Sequence, residues 1–143
     1  MRFWDASAIV PLVLSEPRSK GLGEVLRDDA EMVVWWGSRV ECVSVLRRRE
    51  REGVLEAAGV RRALEFLDQL ASAWSEVLPT EAVRLAAERA LAVHPLRSAD
   101  AFQLAAALVW RRDPARRPGL VCVDERLRDA AAREGFTPVP EEL

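Results

Sequence analysis

The stretch "GLVCVDERLRDAAAREGFTPV", residues 119–139, carries the pattern that sets the fold. Gly119 to Val123 is a short apolar, β-branched run and reads as a buried strand. Asp124 stands directly behind it. "ERLRDAAARE" is rich in Ala, Arg and Glu, which favour a helix, and Gly135 closes it. "FTPV" then reads as a last short strand. Strand, helix and strand in succession make a crossover unit, which joins parallel strands with a right-handed turn.

The same alternation runs through the rest of the chain. "RFW" (2–4) is a first strand, followed by Asp5 and an apolar run from Ala8 to Leu14. Leu22, Val25 and Leu26 fall at helical spacing within residues 18–29. "EMVVWW" (31–36) is a second strand, and Ser38 is expected to cap a helix over 39–52 that Gly53 ends. Residues 56–73 predict an amphipathic helix, "SEVLP" a third strand, and Thr80 the cap of a helix over 81–92 broken at His94-Pro95. Ser98 begins "SADAFQLAAALVWRR", whose Ala and Leu content predicts a buried, closely packed helix stopped by Pro114 and Pro118. The expected class is α/β, with a mostly parallel central sheet of four to five short strands covered on both faces. No repeat or linker divides the chain, so one domain over 1–143 is expected.

Bulk composition narrows the function classes. Of 143 residues, 50% are hydrophobic and 31% charged, with a net charge of −2, so bulk charge alone does not make the chain a polyanion binder. Basic residues are nevertheless clustered in "RRRERE" (47–52) and "RRDPARRP" (111–118), and all but Lys20 are Arg, the side chain suited to bidentate phosphate contacts. No apolar run reaches the ~20 residues of a membrane helix and no leader peptide is visible. Cys42 and Cys122 fit neither a metal-ligand spacing nor a disulfide framework. A cytoplasmic protein with free thiols and no membrane partner is the expectation.

Four acids fall at equivalent points of this plan. Asp5 follows the first strand and Asp124 the strand at 119–123. Glu41 and Asp100 lie in the first turns of the helices at 39–52 and behind Ser98. A parallel sheet opens its crevice at the carboxyl ends of its strands, and these positions bring all four acids to that edge. Each alone could be a cap or a first-turn acid that suits the helix dipole. Together they would repel: a like-charged pair at ~5 Å costs on the order of 3 kcal/mol at an effective dielectric near 20. A cation relieves that repulsion, and all-oxygen ligation selects Mg²⁺ or Mn²⁺. Such ions activate water and stabilise the leaving oxygen of a phosphodiester. Arg48 lies on the same helix as Glu41, on a polar stripe with Ser44, and is the basic residue best placed near the acids to hold a substrate phosphate or to pair with an acid.

"DASAIVPLVLSEP", "VECVSVLRRRE", "RSADAFQLAAAL" and "LVCVDERLRDAA" occur in the order and spacing of PIN-domain proteins. The chain resembles most the small toxin nucleases of VapBC-type toxin–antitoxin pairs, from residue 2 to about residue 139. The resemblance implies a three-layer α/β/α sandwich. It implies that Asp5, Glu41 and Asp100 are the three core metal-binding and catalytic acids, that Asp124 is the fourth, and that Ser7 and Ser98 support them. It further implies a Mg²⁺- or Mn²⁺-dependent ribonuclease acting on RNA, a homodimer, and a small antitoxin partner. Cys122 stands where relatives carry Thr or Ser, and a weakly bonding thiol is expected to hold Asp124 less firmly.

Other readings compete. A phosphoaspartate enzyme would also place an acid after strand one, but Ser7 occupies the position of the second Asp it needs, and Lys20 is in the wrong region for a receiver domain. A catalytically silent PIN domain used as a binding module has no use for four mutually repelling acids. A non-toxin PIN nuclease remains the nearer alternative. Trp35, Trp36, Trp74 and Trp110 are expected in core or dimer contacts, and His94 on the surface.

Overall fold

The computed structural model describes residues 1–143. Five strands, β1 (Arg2–Trp4), β2 (Met32–Trp35), β3 (Ser75–Val77), β4 (Gly119–Val121) and β5 (Thr137–Val139), form one sheet in the order β3-β2-β1-β4-β5. Every pairing is parallel. Seven helices cover it: α1 (Ala6–Val13), α2 (Ser19–Asp28), α3 (Ser38–Arg51), α4 (Ala57–Ala71), α5 (Glu81–Val93), α6 (Ser98–Arg111) and α7 (Glu125–Arg133). The chain winds outward from β1 through β2 to β3, then returns to the other side for β4 and β5. Strand order therefore reverses between β1 and β4, and an open α/β sheet has its crevice at that point.

Alternation within each strand divides the core in two. Phe3, Val33, Trp35 and Leu120 face the layer made by α5, α6 and α7, while Trp4, Met32, Val34 and Val121 face the layer of α1 to α4. Both faces are covered, so the strands read as continuous apolar runs without polar alternation. The expected three-layer α/β/α sandwich is what forms.

Local details depart from the sequence reading at three places. The apolar run after Asp5 is a helix, α1, with Pro11 inside it and Ala6, Ala8, Ile9, Val10, Pro11 and Val13 all buried. A helix enclosed on nearly every side shows no amphipathic stripe, so its period is hidden. Ser38 is not the cap of α3: Gly37 holds that position, and the Ser38 hydroxyl instead pairs with Gln103. Gly37 is dictated by a close approach, since a Cβ there would lie 2.5 Å from Trp35 Nε1. His94 is not on the surface: it is 6% exposed, with Nε2 2.8 Å from Glu134 Oε1. Trp35 and Trp74 are in the core as expected, whereas Trp36 is 52% exposed.

Candidate active site

Asp5 and Asp124 follow the two strands that flank the topological switch. The Asp5 amide donates to Val121 O at 2.9 Å, which extends the β1–β4 pairing to the foot of the acid. Asp5 is the N-cap of α1 and is 4% exposed. Its Oδ2 accepts from the Ser7 amide at 3.0 Å and from the Cys122 thiol at 3.5 Å. Asp5 lines the cleft despite its burial. Asp124 caps α7, accepting from the Leu127 amide at 2.9 Å. Both residues therefore fill the capping role that the chain pattern allows, and both also line the cleft.

Glu41 and Asp100 come in on the first turns of α3 and α6. Glu41 Oε1 accepts from Gln103 Nε2 at 3.2 Å. All four acids line one cleft of about 570 Å³, together with Ser7, Glu16, Arg18, Arg48 and Arg49. None of the four is ion-paired. Arg49 is paired with Glu16, so its charge is partly committed at the cleft wall.

Burial first, and neighbouring charge behind it, raises three of these acids, Asp5, Glu41 and Asp100. Burial raises the Asp5 carboxyl above the ordinary carboxylate range, against the lowering hydrogen bonds from Ser7 and Cys122, and the Asp100 charge adds to the rise. Burial and then the Asp5 charge push Glu41 up to about 7, although its Gln103 hydrogen bond opposes this. Asp100 is raised by burial and by the charge of Asp124, with Arg97 and Arg126 pulling the other way. Strongly perturbed acids sharing a cleft are a signature of functional sites.

Sequence reasoning and geometry differ at several residues. Ser98 starts α6 but is exposed, outside the cleft, and gives that helix no side-chain cap. Ser44 is also outside it: the cleft stripe of α3 is Glu41, Val45, Arg48 and Arg49. Cys122 does not contact the Asp124 carboxylate: its thiol donates to Asp5, while its sulfur accepts the Asp124 amide at 3.3 Å. Glu16, Arg18 and Arg49 went unremarked as cleft residues; Arg49 sits in the basic run at 47–52, and helical spacing from Glu41 was the signal that could have found it.

The donor set suits a hard divalent cation. It is all oxygen, it comes from four separate elements, and no arginine forms an ion pair with it. The side chains as placed do not converge three at a time on an ion-sized point, so closing round an ion would take side-chain rotations.

Comparisons with known proteins agree with this geometry. Residues 2–132 match the family described as the PIN domain. Among solved structures, the chain is similar to the Mycobacterium tuberculosis VapC20 toxin, described as cleaving the sarcin–ricin loop. The TM-score is 0.67 at 17% sequence identity, over 94% of this chain and 95% of that one, a likeness of fold. No curated protein matches. A PIN-domain match over nearly the whole length, on a five-stranded parallel sheet with acids at its switch point, places the chain in the PIN-domain family.

Proposed function

We propose that this protein is a metal-dependent endoribonuclease, the toxin of a type II toxin–antitoxin pair, hydrolysing RNA phosphodiesters. The observation that carries the reading is the set of four carboxylates, Asp5, Glu41, Asp100 and Asp124, lining one cleft without a single ion-pair partner. A polyanion cannot approach four carboxylates unaided. In this reading they hold Mg²⁺ or Mn²⁺, and Ser7 steadies Asp5 through its amide. A cation held there would polarise the phosphodiester and acidify a water.

The chain's own groups do the rest. Asp5, held at Oδ2 by the Ser7 amide and the Cys122 thiol, would offer its carboxylate to the cation. Arg48 and Arg18 on the cleft wall would take backbone phosphates, as arginine does with bidentate geometry. Phosphate contacts position a substrate without reading its sequence. The likeness to a toxin described as cleaving the sarcin–ricin loop supports RNA as the substrate class.

The same reading takes the chain as a single nuclease domain over 1–143 working in the cytoplasm. No helix is long and apolar enough to cross a membrane. It has a small cognate antitoxin as partner and pairs as a homodimer, for which the exposed Trp36, Val40 and Leu78 offer apolar surface. Antitoxin-free protein incubated with a panel of structured RNAs tests the reading. Cleavage that needs Mg²⁺ or Mn²⁺ and stops in EDTA is expected. Cleavage indifferent to EDTA rules the mechanism out. Sedimentation that shows only the 16.0 kDa species counts against the homodimer.

A further inference from the structure

Gln103 lies in the buried face of α6, among Ala101, Leu104, Ala105, Ala106 and Ala107, and is 1% exposed; the only other buried polar residue of that helix, Arg111, is at its far end. A primary amide in such surroundings is costly unless its groups are bonded. Its bonds all run to α3. Nε2 donates to Ser38 Oγ at 2.9 Å and to Glu41 Oε1 at 3.2 Å, and the Ser38 hydroxyl lies 3.3 Å from Gln103 Oε1. Ser38 and Glu41 are three apart on α3, so one amide meets both from a single side. Gln103 is likewise three residues beyond Asp100 on α6. One buried side chain thus ties the helix carrying Asp100 to the helix carrying Glu41.

The tie acts on a carboxylate with reason to leave. Glu41 is desolvated and faces the charges of Asp5 and Asp100, and no cation holds it. Gln103 is the only side chain that donates to it. Ser38 Oγ meets both ends of the same amide, accepting from Nε2 at 2.9 Å and lying 3.3 Å from Oε1, and so braces it beside Glu41. Oε1 is engaged and Oε2 is left over for another partner.

We propose that Gln103 is a positioning residue for the acid cluster, which through Ser38 sets the Glu41 carboxylate for binding a divalent cation. This rests on the metal-dependent reading above. Partners that orient ligating carboxylates typically change metal affinity or activity by about 10- to 100-fold when removed.

Gln103→Met keeps the unbranched shape and volume while deleting the amide. Ser38→Ala is a milder second variant that frees the amide to turn. Each is made in wild type and in Glu41→Gln, thermal melting in EDTA identifies the folded ones, and Mn²⁺ affinity is measured by calorimetric titration alongside RNA cleavage. Gln103→Met should weaken Mn²⁺ about tenfold and lower kcat with RNA KM little changed; Ser38→Ala should weaken Mn²⁺ a few-fold. Both losses should vanish in the Glu41→Gln background, because residues acting through one another are not additive. In whichever variant folds, wild-type Mn²⁺ affinity, or a loss undiminished in Glu41→Gln, overturns the proposal alone. Wild type that binds no Mn²⁺ overturns the metal-dependent reading, and this inference with it.

Discussion

The Cys122 thiol lies 3.5 Å from Asp5 Oδ2, across the pairing of β1 with β4, and its sulfur also receives the Asp124 amide at 3.3 Å. One side chain therefore braces two of the four acids' attachment points. Removing it leaves a buried carboxylate oxygen with one donor fewer and an amide without its acceptor. Cys122→Ala should lower metal-dependent cleavage about tenfold, whereas Cys122→Ser, a better donor of similar size, should keep wild-type rates or exceed them. Single-turnover cleavage at saturating Mn²⁺ decides this. An alanine variant as fast as wild type would show that the thiol only fills space.

Asp124 has a cap role and a proposed ligand role, and two substitutions separate them. Asn keeps a side-chain oxygen for the Leu127 amide, while Ala removes it. Asp124→Ala should lose about 1 kcal/mol of stability and Asp124→Asn close to none. Both should lose most of the cleavage activity, by about tenfold or more, because neither supplies the charge. Thermal melting together with a cleavage assay reads both effects. Full activity in Asp124→Asn would confine this residue to capping.

What could be read from the chain follows from the range of the interactions concerned. Strand-length apolar runs, Gly53 and Gly135 at positive φ, and acids placed directly after strands are local signals, and they led to the parallel sheet and to one edge of it. α1 was hidden because burial on all sides erases helical periodicity. Gln103 and His94 were hidden for a different reason: each is explained by a partner far off in sequence, Ser38 and Glu41 for the first, Glu134 for the second. Cys122 stands out in the sequence by its place behind β4, but its partner Asp5 lies 117 residues away, at the neighbouring strand's end.

The cluster around Glu134 lies at the far end of α7 from Asp124 and should matter for stability only. His94 Nε2 and Arg89 Nη1 each sit 2.8 Å from Glu134 Oε1, and Arg111 Nη1 donates to the Glu134 carbonyl at 2.6 Å. Burial tends to raise the Glu134 carboxyl, but the hydrogen bonds from His94 and Arg89 outweigh it and hold it below the ordinary range. A lowered carboxyl stabilises the fold above the unfolded pKa, and that contribution is lost as pH falls through the lower, folded one. Glu134→Gln should therefore lower the melting temperature near neutral pH, with the deficit shrinking in acid, and leave cleavage per folded molecule unchanged. A deficit that stays constant as the pH is lowered would remove the charge from this account.

Glu41 gives the opposite dependence on pH. Its carboxyl is pushed up to about 7 in the folded protein from an ordinary value of 4.5, with burial as the main cause and the Asp5 charge second. Between those values the native state holds a proton that the unfolded chain has released, so stability falls as pH rises through this window. Glu41→Gln carries no such proton and escapes the loss. In EDTA the variant should melt close to wild type at about pH 5 and increasingly above it toward about pH 8. A divalent cation reverses the order. Ligand binding requires the ionised carboxylate, so stabilisation by Mn²⁺ should grow as pH rises through neutrality, and it should be larger in wild type than in the variant. Melting curves of both proteins across this range, with EDTA and with Mn²⁺, measure the two trends side by side. Equal Mn²⁺ shifts in the two proteins at every pH would take Glu41 out of the metal site, and a flat difference in EDTA would mean that Glu41 is not held protonated by its neighbours.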